Sequence, residues 1–195
     1  MLQPTTTRRH PISAIIGLGA NLPSAHGTLI KTLQAALDML AGDGVEIQAV
    51  SRFYSTPCFP AGAGPDYVNA AALLRVDMSA ADLLSRFHKI EASMGRERIE
   101  RWGQRVLDLD LLAFGDEIAP DIEAFLQWRD LPITEQSTVA PEQLIVPHPR
   151  LQDRAFVLVP MADVAPQWVH PVTGRSTRQM LGDLDAGDVA QIVPL

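Results

Sequence analysis

Residues 107–112 read Leu-Asp-Leu-Asp-Leu-Leu, and this alternation is the tightest constraint the chain places on its own fold. A period of two belongs to a strand with one dry face. Asp108 and Asp110 then share the other face, about 6.6 Å apart along the strand. The leucines can enter a core, but two like charges this close either raise one carboxyl pKa or recruit a cation. Hard oxygen ligands on a rigid strand suit Mg²⁺, which takes the rest of its shell from water and substrate phosphates. Immediately upstream, Arg96, Arg98, Arg101 and Arg105 offer planar forks that match phosphate oxygens. One segment therefore combines candidate metal ligands with candidate phosphate clamps.

The rest of the chain must supply a core for that strand. At 195 residues it suits one domain with appendages, and 47% hydrophobic with 20% charged residues describes an ordinary globule. The net charge of −7 argues against a nucleic-acid surface. Of the 16 basic residues only Lys31 and Lys89 are lysines, so arginine carries the cationic chemistry. A single cysteine, Cys58, has no internal partner, and a reducing, cytoplasmic setting is expected. No apolar run approaches the length of a membrane span. Residues 1–11 are polar, lack a signal-like apolar segment, and are expected to form a frayed tail.

Periodicity orders the remaining elements. Ile12 to Leu18 reads as a strand, Ser24 to Leu40 as a helix, and Val45 to Tyr54 and Tyr67 to Val76 as two further strands. Ser79 with Asp82 opens a second helix in the capping-box manner, with Leu83, Phe87, Ile90 and Met94 as its buried stripe and Gly95 at its end. The strand of Asp108 follows. The order βαββαβ predicts an α+β, ferredoxin-like antiparallel sheet with both helices on one face. Residues 118–142, punctuated by Pro120, Pro132 and Pro141, read as an irregular insertion. Val146-Pro147-His148-Pro149-Arg150 is extended, because residues before proline avoid helix. Phe156 to Met161 reads as a strand or buried turn, and Thr177 to Leu184 as a short helix in a weakly patterned tail. The domain is expected to span 12–174, with 175–195 as a C-terminal extension.

Several phosphate-binding signatures are excluded. Gly17-Leu18-Gly19-Ala20-Asn21-Leu22 lacks the third glycine and the downstream acid of a dinucleotide fingerprint. There is no Gly-x-x-x-x-Gly-Lys motif and no protein-kinase signature set. Five histidines and one cysteine show no zinc spacing.

Five segments together resemble the hydroxymethyldihydropterin pyrophosphokinases of folate synthesis. They are Gly19–Leu22, Tyr54-Ser55-Thr56-Pro57, Pro65–Ala70, Arg101–Asp110, and Val146–Arg150 with Arg154 and Phe156. The resemblance spans about Ile12 to Val164. It implies transfer of the β,γ-diphosphate of ATP to 6-hydroxymethyl-7,8-dihydropterin, with AMP released. It further implies two Mg²⁺ ions held by Asp108 and Asp110, with Arg96 and Arg105 as catalytic loop arginines. Glu91, Arg98, Arg101, Trp102, Leu111, His148 and Arg154 match positions around ATP. Thr56, Pro57, Phe59, Tyr67, Asn69 and Phe156 match positions around the pterin, where Tyr67 and Phe156 stack on its flat ring. The implied partners are these two substrates, with no nucleic acid and no membrane, and the chain is expected to act as a monomer.

The chain also departs from that family's pattern. Ala20 replaces a usual serine, Gln104 a usual proline, and Pro149 a frequent aromatic, and the 118–142 stretch is unusually long. Two rival readings stay open at this level. One is a binding module of the same topology that holds a nucleotide without turnover. The other is an RNA-binding sheet, disfavoured by charge and by the missing aromatic surface.

Overall fold

The computed structural model describes residues 11–58, 64–95, 106–132, 135 and 139–195. Its organising element is β1 (Ile12–Ala20), which is central in an antiparallel sheet. On one side it pairs along its whole length with β4 (Tyr67–Val76), from Ile12 opposite Val76 to Ala20 opposite Val68. On the other side it pairs with β5 (Asp108–Phe114), which lies at the sheet's edge.

The expected strand over 45–54 is two strands, β2 (Val45–Val50) and β3 (Tyr54–Thr56), both paired to β4. The break has a local cause. The Ser51 hydroxyl accepts from the Ala71 N–H at 2.9 Å, taking the place of a strand carbonyl, and donates to the Arg52 carbonyl at 2.7 Å. Beyond β3 lies a sixth, two-residue strand, β6 (Val193–Pro194), so the order is β5-β1-β4-β3-β6 with β2 also on β4.

Helix α1 (Leu29–Leu40) starts later than its apolar pattern suggests. Ser24 to Gly27 closes a turn first, and Thr28 then caps the helix by accepting from the Lys31 N–H. Helix α2 (Ala80–Ser93) begins at Ser79 as expected, with its hydroxyl bonded to the Asp82 N–H and carboxylate. Gly95, at φ 90°, follows its end in a conformation that side chains resist. Leu33, Leu37 and Leu40 of α1 and Leu83, Phe87 and Ile90 of α2 pack against Ile16, Leu18, Ala72, Leu74, Leu109 and Leu111 of the sheet.

The opposite face is also covered, which corrects the expectation of helices on one face only. A 3-10 turn at Leu151–Asp153 leads into a helix, α4 (Ala155–Val164), where the sequence pattern predicts a strand or buried turn. Leu151, Val157, Leu158 and Met161 pack on Ile15, Ala71, Leu112 and Ala113, with Met180 of α5 (Thr177–Gly182) alongside. This helix lies between the sheet and its neighbours, so apolar residues surround its axis and the amphipathic period is lost. Its internal Pro160 further masks the helical signal.

The stretch expected to be irregular contains α3 (Ile122–Arg129), capped by the Asp121 carboxylate on the Ala124 N–H at 2.8 Å. Phe125 of α3 and Trp168 bracket the buried His170 ring, at centroid distances of 5.4 and 5.5 Å. The last helix, α6 (Ala186–Ala190), precedes β6. Among the described residues no helix is long and apolar enough to cross a membrane.

Candidate active site

Three strands build the floor of the site at the end of the sheet away from the Ile12–Val76 pair. Asn69 of β4 pairs with Gly19 of β1, and Gly19 pairs with Asp108 of β5. One step along, Ala71, Gly17 and Asp110 form a second row. Residues opposite one another share a face, so Asn69, both glycines and both aspartates look out on the α4 side. Leu109 and Leu111 point the other way and are buried. The alternation in the sequence thus has the predicted consequence.

The glycines keep the middle of this floor empty. A Cβ on Gly19 would lie 2.7 Å from Asn69 Oδ1, closer than real carbon–oxygen contacts allow. The bare backbone lets the Asn69 amide lean over β1 toward the acid rows. Asn69 is oriented by Thr56, whose hydroxyl accepts from Asn69 Nδ2 at 2.6 Å. That bond leaves the Asn69 carbonyl oxygen as the group presented above Gly19. Tyr67 stands two residues before Asn69 on the same face, opposite Thr56. Pro57 follows Thr56 in an exposed position. The flanking loop is tied back twice, by Cys58 N–H to Asp66 Oδ1 at 3.2 Å and by Asn21 Nδ2 to the Pro65 carbonyl at 3.3 Å.

Helix α4 and the segment before it bring the cationic and aromatic groups. Arg154 directly precedes α4, and its guanidinium lies over the Phe156 ring, 5.7 Å from the centroid. Desolvation lowers the Arg154 pKa, while Asp110, and less strongly Asp108, act in the opposite sense. The two carboxylates and this arginine therefore share one field. Phe156 is 39% exposed, which leaves its ring open to a ligand.

His148 reaches the same place by a different route. Ala119 and Val146 exchange two backbone hydrogen bonds, and the His148 N–H donates to the Leu112 carbonyl at 2.9 Å. A β-bulge in β5 supplies that carbonyl, since the register slips between Ile15 and Ile16 and leaves Leu112 extra. The imidazole pKa is pushed down to about 3, chiefly by loss of hydration and then by the nearby Arg154, against a weaker upward pull from Asp108. His148 is thus neutral. Its Nδ1 accepts from the Arg150 N–H at 3.1 Å, which leaves the proton on Nε2 as a donor.

Glu91 sits 1% exposed on α2 and accepts from the Leu109 N–H at 2.8 Å through Oε1. It closes the outer edge of β5 between the two aspartates. Leu111 lies in the core on the opposite face, so any contact from it to a nucleotide would run through its backbone. Phe59, Arg96, Arg98, Arg101, Trp102 and Arg105 lie outside the described residues. Asp108, Asp110, His148, Arg154, Phe156, Thr56, Tyr67 and Asn69 all belong to one end of the sheet. The supporting roles of Ser51 and Asp163 carry no local sequence signal, because each is defined by a partner distant in the chain.

Among the described residues no group of three or more histidine, cysteine, aspartate or glutamate side chains forms a metal cage. The floor instead offers two carboxylates, an arginine, a neutral histidine donor, an amide and two aromatic rings. This is the equipment of a small α+β enzyme that handles a polyphosphate beside a flat, polar-edged ring.

Residues 15–166 match the family described as 7,8-dihydro-6-hydroxymethylpterin-pyrophosphokinase (HPPK). A 2-amino-4-hydroxy-6-hydroxymethyldihydropteridine pyrophosphokinase of Synechocystis is 36% identical over 194 residues, covering 99% of this chain and 87% of its own. The enzyme of that name from Pseudomonas aeruginosa is 38% identical over 168 residues, covering 85% and 88%. A crystal structure of Plasmodium falciparum HPPK-DHPS shares the fold with a TM-score of 0.65 at 13% identity, over 91% of this chain and 46% of that longer one. The chain belongs to the 7,8-dihydro-6-hydroxymethylpterin-pyrophosphokinase family, and its activity is that of a pyrophosphokinase in folate biosynthesis.

Proposed function

We propose that this chain transfers the β,γ-diphosphate of ATP to the hydroxymethyl oxygen of 6-hydroxymethyl-7,8-dihydropterin and releases AMP. The observation that carries this reading is the three-strand row Asn69–Gly19–Asp108, which puts an amide, a gap and a carboxylate side by side. The pterin lies over β3 and β4, between Tyr67 and Phe156, with the Asn69 amide and the Thr56-Pro57 backbone on its polar edge. Phe59 belongs to the same lining. The hydroxymethyl group then points along the floor toward Asp108 and Asp110, where the triphosphate lies. The oxygen–β-phosphorus bond forms as the bond from the β-phosphorus to the AMP oxygen breaks.

Asp108 and Asp110 would hold two Mg²⁺ ions, which supply charge neutralisation on the phosphates when bound. Two carboxylates on one strand face suit Mg²⁺, because the ion keeps water and takes phosphate oxygens. Arg154 contributes a fixed positive charge beside them. His148 gives a hydrogen bond from Nε2 to the nucleotide and stays neutral while doing so. Arg98, Arg101, Trp102 and the Leu111 backbone complete the ATP site, with Glu91 holding β5 in place. Arg96 and Arg105, which lie outside the described residues, serve as the catalytic arginines that the family resemblance implies, since donors aimed at developing charge count most.

The chain works as a cytoplasmic monomer. Residues 12–174 form a single domain on a ferredoxin-like core, with 118–142 inserted and 175–195 as its extension. Product analysis tests the reaction. With dihydropterin, ATP and Mg²⁺, AMP must appear in step with the diphosphorylated pterin. ADP as the sole nucleotide product would indicate a different kinase, and absence of turnover would favour a nucleotide-binding module.

A further inference from the structure

Helix α4 and strand β3 meet at one carboxylate. Asp163 Oδ2 accepts from the Arg52 backbone N–H at 3.2 Å, from Arg52 Nε at 3.1 Å and from the Tyr54 hydroxyl at 2.8 Å. Its Oδ1 accepts from Arg52 Nη2 at 2.9 Å. The Arg52 guanidinium also lies over the Tyr54 ring, 5.3 Å from the centroid. Tyr54 is only 2% exposed, so its hydroxyl requires a partner within the protein.

The placement of this cluster gives it a consequence at the site. Asp163 and Phe156 are seven residues apart and lie on one stripe of α4, about 10.5 Å apart along its axis. Tyr54 and Thr56 are two apart on β3 and share a face, about 6.6 Å apart. The carboxylate therefore closes one end of a wedge between α4 and β3. Phe156 lies toward the other end of the helix, and the Thr56–Asn69 pair toward the other end of the strand. A small rotation of α4 about the closed end would change the separation of Phe156 from that pair directly.

We propose that Asp163 is a positioning residue for the dihydropterin, setting the gap between Phe156 and the Thr56–Asn69 pair by pinning α4 to β3. This rests on the pterin reading above. Arg52 is exposed and its ion pair with Asp163 adds little by itself. The geometry, with four donors converging on one carboxylate at a joint between two elements, is what carries the argument.

Steady-state kinetics on Asp163→Asn and Tyr54→Phe, with each substrate varied separately, test it. Asp163→Asn is expected to raise KM for dihydropterin about tenfold, with kcat and ATP affinity within about twofold of wild type. Tyr54→Phe removes one hydroxyl and is expected to shift the same KM by less. If Asp163→Asn does not fold, Tyr54→Phe alone carries the measurement. Unchanged dihydropterin KM in the folded variants, whatever their Tm, overturns the positioning role. Wild-type protein that forms no AMP overturns instead the pterin reading on which the role depends.

Discussion

Asp108 and Asp110 show how a residue pair acquires chemistry from its surroundings. On an isolated strand two neighbouring acids would simply be solvated. Here the glycines opposite them hold no side chains, and Arg154 shares their field. Replacing either acid with alanine removes a carboxylate without removing core packing, since both point away from the buried leucines. We expect Asp108→Ala and Asp110→Ala each to lower Mg²⁺-dependent AMP formation by roughly a thousandfold or more. Both variants should still unfold cooperatively, because neither side chain belongs to the buried core. Near-normal turnover in either variant would remove that residue from the reaction.

At the scale of elements, the edge strand β5 is the one that must be held. Its inner side is paired to β1, while its outer Leu109 N–H is bonded to the Glu91 carboxylate from α2. A buried donor stripped of its acceptor costs about 1–3 kcal/mol. Glu91→Ala should therefore destabilise the chain by about that amount, and amide exchange at Leu109 should accelerate. Glu91→Gln keeps an acceptor oxygen and should restore both. Equal exchange at Leu109 in wild type and the alanine variant would show that the strand does not depend on this bond.

For the molecule as a whole, acid is the telling perturbant. His170 is fully buried, and burial with Arg129 nearby holds its pKa down at about 4. The unfolded value is 6.5. Between these values the unfolded chain binds more protons, so stability is complete above pH 6.5 and falls as pH drops toward 4. At pH 5 this single group costs about 2 kcal/mol. His148 acts in the same direction, over a window reaching about 3. His170→Asn keeps an acceptor near the Val172 and Thr173 N–H groups, which His170 Nδ1 now serves. Urea unfolding of that variant between pH 7 and 4.5 should lose a large part of the wild-type slope. An unchanged slope would place the acid sensitivity elsewhere.

Whatever is local in period was already written in the chain. The Asp108 and Asp110 face, the extent of β4 and the Ser79 cap follow from spacing alone, because each depends on residues a few positions apart. The resemblance carried by the five segments was legible for the same reason, since each segment is a short run of neighbouring residues. Only the folded chain decided the break after Val50, the helical state of residues 155–164 and the covering of the second face. Those features depend on partners far away, such as Ser51 with Ala71, Glu91 with Leu109 and Arg52 with Asp163, the last pair 111 positions apart. Apolar residues around most of its axis erased the period that would have announced α4. A hydrogen bond between distant residues leaves no trace in either partner's neighbours along the sequence.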